Sequence, residues 1–93
     1  MGYEWQGWAL DALGGMDPGE VLQALGAARR WPRWAVGPMG VRVLTVWART
    51  AAGRPLIVAV RQVDAWDWQI LGARDMTPAD LSEFEKWEAH RDD

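Results

Sequence analysis

Hydrophobic positions change period along the chain, and each change marks an expected element. Trp5, Trp8, Ala9, Ala12 and Leu13 recur at helical spacing, and Gly14-Gly15 closes that segment. Asp17-Pro18-Gly19-Glu20 predicts a second helix, with Asp as cap, Pro in the first turn and a stripe of Val21, Leu22, Leu25 and Ala28. Pro32, Gly37, Pro38 and Gly40 then interrupt Arg29 to Gly40, which reads as a loop with a short strand near Trp34 to Val36.

From Val41 the period becomes two. Val41 to Thr50 and Pro55 to Val63 read as strands joined by Ala51-Ala52-Gly53, a hairpin loop with Gly53 in the left-handed region. That loop fixes the register, setting Leu44 against Val60, Val46 against Val58 and Ala48 against Leu56 on one apolar side. The other side is mixed, with Val43, Thr45, Trp47 and Arg49 beside Ile57, Ala59 and Arg61. A third strand, Trp66 to Arg74, returns after a turn at Asp64-Ala65. Simple alternation sends its Leu71 and Ala73 to the apolar side and Trp66, Trp68, Ile70 and Arg74 to the mixed one. Thr77, Pro78 and Asp80 then start a last helix, striped by Leu81, Phe84 and Trp87 and flanked by Asp80, Glu83, Glu85 and Glu88. The expected fold is α+β: short helices on one face of a twisted antiparallel sheet of three to four strands, ending in a C-terminal helix. The 93 residues form a single expected domain.

Composition narrows the chemistry. The chain has no cysteine and a single histidine, His90, so thiolate chemistry and zinc sites are set aside. Ser82, its only serine, lies about 12 Å along the last helix from His90, too far for a serine triad. No phosphate-cradling loop or dinucleotide fingerprint is present. Asp64 and Asp67 at the hairpin tip read as turn formers, not metal ligands. Neither metal nor cofactor is expected. The first residues, MGYEWQGW, lack the basic-then-apolar order of a signal peptide, and no run is long and apolar enough to span a membrane. A soluble cytoplasmic protein is therefore expected.

Charge is segregated beneath a net value of −3. Residues 1–28 carry −4, residues 29–74 carry +6 and residues 75–93 carry −5. Nine arginines and eight tryptophans concentrate this pattern. Arg49, Arg61 and Arg74 with Trp47, Trp66 and Trp68 fall on the mixed sheet side. Guanidinium forks bind phosphate and indoles stack on splayed bases, which fits single-stranded RNA. The same groups fit a protein partner with an acidic surface equally well. Internal compensation, with acidic helices lying over a basic sheet, also accounts for the charges.

The second half of the chain resembles a known family. Val41-Arg42-Val43, then Ala48-Arg49-Thr50-Ala51-Ala52-Gly53-Arg54-Pro55-Leu56-Ile57-Val58, then Ile70-Leu71-Gly72-Ala73-Arg74 and the acidic last helix resemble the BrnT toxins of bacterial type II toxin–antitoxin systems. Asp17 to Leu25 is similar to the family's second helix. The resemblance implies a RelE-like fold and a metal-independent endoribonuclease that arrests translation. It also implies neutralisation by a cognate antitoxin, a ribbon-helix-helix protein that supplies the only link to DNA. Arg74 and Arg61 are the expected catalytic phosphate clamps, and Arg42, Arg49, Arg54, Trp47, Trp66 and Trp68 the expected substrate-binding residues. The family's lysine-histidine-glycine is here Ala12-Leu13-Gly14, an arginine of its last strand is Gln69, and a serine is Gly72. Glu4, Asp67 and Tyr3 are left as candidates for the general base. The alternative is a non-catalytic interaction domain of the same fold, whose Arg and Trp face binds a protein.

Overall fold

The computed structural model describes residues 2–5, 16–37, 40 and 42–90. Five strands and two helices follow in the order β1 (Gly2–Trp5), α1 (Pro18–Leu25), β2 (Arg30–Val36), β3 (Arg42–Arg49), β4 (Pro55–Gln62), β5 (Asp67–Asp75) and α2 (Pro78–Ala89). They form one sheet of strand order β1-β5-β4-β3-β2. All neighbours are antiparallel except β1, which runs parallel to β5. The fold is α+β with a mixed five-stranded sheet, so the expectation of an all-antiparallel sheet of three to four strands is corrected.

The β3–β4 hairpin forms as its loop dictates. Leu44 pairs with Val60, Val46 with Val58 and Ala48 with Leu56. Gly53 takes φ 91°, a left-handed conformation that a side chain would strain. Its N–H donates to the Thr50 carbonyl, and the Thr50 hydroxyl accepts from the Arg54 N–H, which closes the turn.

Three elements differ from expectation, each for a physical reason. Trp5 opens no helix: it lies in β1, pairs with Ile70 and packs on the core. Residues 6–15, including Trp8, Ala9, Ala12, Leu13 and the two glycines, lie outside the described residues. The Arg29 to Gly40 loop contains β2, seven residues long, despite Pro32. Proline lacks only an N–H, and on an edge strand that position can face away from the neighbour. In β5 a bulge between the pairs Ala59–Gly72 and Val60–Ile70 leaves Leu71 as the extra residue. Alternation therefore changes phase: Ile70, not Leu71, enters the core, and Trp68 packs against the same side.

The helices cover opposite faces, not one. Asp17 caps α1 by accepting from the Gly19 N–H at 2.8 Å. Its Val21, Ala24 and Leu25 are buried against Val46, Ala48, Leu56, Val58, Val60 and Ile70. Across the sheet, α2 buries Phe84 against Trp47 and Ile57, with Trp31, Met76 and Trp87 around them. Trp87 stacks on Trp31, and Trp31 meets Trp47 edge-on, with ring centroids 5.6 and 5.4 Å apart. No helix among the described residues is long and apolar enough to cross a membrane.

Candidate functional site

Beside α2, the sheet face it shares holds a shallow groove. Thr45, Ile57, Ala59, Gly72, Ala73 and Arg74 line a depression of about 250 Å³. Small residues make its floor, and a Cβ built on Gly72 meets nothing within 4 Å. Arg74 stands at one end, opposite Ile57. Arg61 is four residues further along β4, about 13 Å of strand, on the same face.

Both arginines are partly committed and partly open. Arg74 donates from Nη1 to Asp80 Oδ2 at 2.7 Å and to the Asp75 carbonyl at 3.2 Å. Its Nε and Nη2 make no hydrogen bond among the described residues, and its side chain is 56% exposed. Arg61 donates from Nε to Gln69 Oε1 at 2.9 Å, and neither Nη group makes a hydrogen bond among the described residues. Because Arg74 lines the groove and leans to Asp80, while Arg61 lies beyond the groove and leans to Gln69, they address separate points along the face. They do not converge on one phosphate.

Asp80 does two jobs at the start of α2. Its carboxylate accepts from the Thr77 N–H, while the Thr77 hydroxyl accepts from the Asp80 N–H, a complete capping box. The Arg74 hydrogen bond, followed by the Thr77 N–H, holds the Asp80 carboxyl at about 2, below its ordinary 3.8. A depressed carboxyl stabilises the fold above the ordinary range, and that contribution is lost as pH falls toward 2. Asp80→Asn should therefore narrow the difference in thermal midpoint between about pH 5 and about pH 2, measured by circular dichroism. An unchanged difference would show that the pair contributes nothing to acid stability.

The rest of the expected arginine and tryptophan site is distributed differently. Arg49 shares the groove's face, but Glu88 of α2 takes its Nε and Nη2 at 2.9 and 2.8 Å, and the Gly53 carbonyl takes Nη1. This fork lowers the Glu88 carboxyl and raises Arg49. Trp47 is buried beneath α2, its Nε1 donating to Thr45 Oγ1, so no base can stack on it. Arg33 pairs with Glu83, and Arg29 donates to the Glu88 carbonyl. The acidic flank of α2 thus neutralises sheet arginines, as internal compensation requires.

Four residues lie off that face or outside it. Arg54 forks onto Asp75 and reaches Glu20, tying β4 and β5 to α1. It is a structural clasp, and the Arg54 fork is the first cause of the depressed Asp75 carboxyl. Trp68 is removed from the site by the bulge, and Trp66 is 72% exposed in the turn before β5. Arg42 falls on the α1 face, where it lies 4.4 Å over the Trp34 ring. Asp64 accepts from the Trp66 and Asp67 N–H groups, which makes it a turn former and lowers its carboxyl.

The candidates for the general base also separate. Glu4 on β1 pairs with Gln69 on β5, which pairs with Arg61 on β4. These three side chains share a face across adjacent strands, whereas Tyr3 points to the opposite one. In the sequence Gln69 stood out only as the replacement of a family arginine and Trp34 only as the start of a short strand: the first matters through its strand neighbours, the second through its exposure. No protein-family model matches this chain, and no curated protein matches it.

Proposed function

We propose that this chain is the toxin of a bacterial toxin–antitoxin pair, a RelE-like endoribonuclease that cleaves mRNA in the cytoplasm and is neutralised by a ribbon-helix-helix antitoxin. The resemblance of its second half to BrnT toxins supports the reading. The observation that carries it is the groove floored by Ala59 and Gly72, with open guanidinium donors on Arg74 at its end and on Arg61 beyond it on the same face. A single-stranded backbone laid there meets one guanidinium at each of two phosphates. Glu4 takes the proton of the attacking 2′-hydroxyl, and Arg61 stabilises the charge building on phosphorus. The leaving oxygen draws its proton from solvent on this open face.

Gly72→Val tests the groove without touching a charge. The strand accepts valine and the added atoms enter empty space, so folding is expected to be unchanged while binding of a single-stranded RNA oligonucleotide weakens about tenfold. Arg61→Ala should slow cleavage about a hundredfold. Glu4→Gln should lower kcat by a similar factor at unchanged KM. If the purified protein neither binds nor cuts RNA, or if Gly72→Val binds as well as the parent, the reading fails. The alternative reading, a non-catalytic interaction domain, is favoured by a different feature: the exposed apolar edge of β2.

A further inference from the structure

We propose that the outer edge of β2, from Trp34 to Val36, is a docking edge for an extended acidic strand of a protein partner. The inference goes beyond RNA cleavage and does not depend on it. Among the described residues β2 is the last strand of the sheet, so one side of its backbone is paired with no described strand. Pro32 pairs with Val46 yet cannot donate to it, so the position of its missing N–H faces outward. The ladder alternates, and the N–H groups of Trp34 and Val36 therefore point outward too.

The two halves of this edge are built differently. Pro32 interrupts the outward donors of the first half, and Arg30 folds back to donate to the Leu25 carbonyl at the end of α1. Edges are ordinarily blunted by such devices. The second half has none: Trp34 is 57% exposed, Val36 is 73% exposed and Ala35 lies open between them. Three consecutive apolar residues are left on an open strand edge.

Charge identifies the occupant. Arg33, Arg49, Arg54 and Arg74 each have a carboxylate partner. Arg42 and Arg61 have none among the described residues, and with Trp34, Gln62 and Val63 they line an open depression of about 520 Å³ at the strand ends. Arg42 pairs with Val36 and so stands one strand in from the edge. A strand added to β2 brings its side chains within reach of Arg42, and acidic ones are attracted there. A second copy of this chain would instead bring another Arg42 toward the first. RNA has no alternating amide ladder with which to satisfy Trp34 and Val36.

The test uses the whole chain and two short peptides, one alternating valine with glutamate and one alternating valine with lysine. Amide exchange by NMR is expected to slow at Trp34 and Val36 with the glutamate peptide, and its affinity to fall as salt rises. Val36→Pro removes an outward N–H while keeping the bonds to β3, and Arg42→Glu reverses the local charge. Each should weaken binding about tenfold with an unchanged thermal midpoint. Equal binding of the lysine peptide, protection confined to β1, or indifference to Val36→Pro would overturn the proposal. Protection of the same amides by self-association, or by an RNA oligonucleotide in place of the peptide, would overturn it as well.

Discussion

Replacing Phe84 with alanine should lower the free energy of unfolding by about 3–5 kcal/mol, read from denaturant titration. Phe84 is the only fully buried residue of α2 among the described ones, 1% exposed beneath a helix of twelve residues. Its ring stacks on Trp87 at 5.4 Å and has the Arg49 guanidinium 5.6 Å from its centroid. Removing it takes away transfer energy and leaves a void between Trp47 and Ile57 that flanking side chains fill only in part. A domain this size holds about 5–15 kcal/mol in total, so the loss brings the variant near its limit. Near-ultraviolet circular dichroism should fall with it, because the tryptophan stack loses its support. A loss below about 1 kcal/mol would mean that the ion pairs of α2, not Phe84, anchor the helix.

That dependence explains why the arginine face was only partly legible in the sequence. The hairpin register was readable because Ala51-Ala52-Gly53 allows few geometries and because Val46, Ala48, Leu56 and Val58 all belong on one side. Period-two patterning also placed Trp47, Arg49, Arg61 and Arg74 correctly on the other. What alternation cannot tell is which part of a mixed face lies under another element. The acidic flank of α2 held that information: Asp80, Glu83 and Glu88 meet Arg74, Arg33 and Arg49 respectively. Segregated charge of opposite sign within one chain is satisfied internally before it is offered to a ligand. Arg29 and Arg30 turn to backbone carbonyls, whereas Arg42 and Arg61, beyond the reach of α2, keep guanidiniums with no carboxylate among the described residues.

The strands at either side were harder for local reasons. β1 is four residues long, too short for an alternating signal, and the helical spacing that starts at Trp5 masks it. β2 carries a proline, which is a breaker in a central strand and acceptable at an edge. Neither position in the sheet order is a local property. A strand's tolerance of proline follows from its neighbours, and the neighbours are fixed only by the whole topology.

The bulge in β5 has the sharpest consequence for the site, and adjacent substitutions measure it. Ile70→Ala should cost about 2–5 kcal/mol, because Ile70 is fully buried among Val60, Val58 and Leu25. Leu71→Ala should cost about 1 kcal/mol or less, since Leu71 is only half-buried. Regular alternation, with Leu71 in the core, predicts the reverse order, so denaturant unfolding of the two variants separates the alternatives. Deleting Leu71 is a second measurement: it would join the pairs Ala59–Gly72 and Val60–Ile70 into an unbroken ladder and leave every other side chain on its face. That variant should fold, whereas deleting Gly72 instead would leave Leu71 opposite Ala59, over the groove floor. If Leu71→Ala proved the costlier change, Trp68 and Ile70 would belong beside Arg61, and the tryptophan excluded from the groove would return to it. The extra residue therefore decides the character of the proposed binding face, because the phase change keeps Trp68 in the core and leaves Gly72 as an open floor between two arginines.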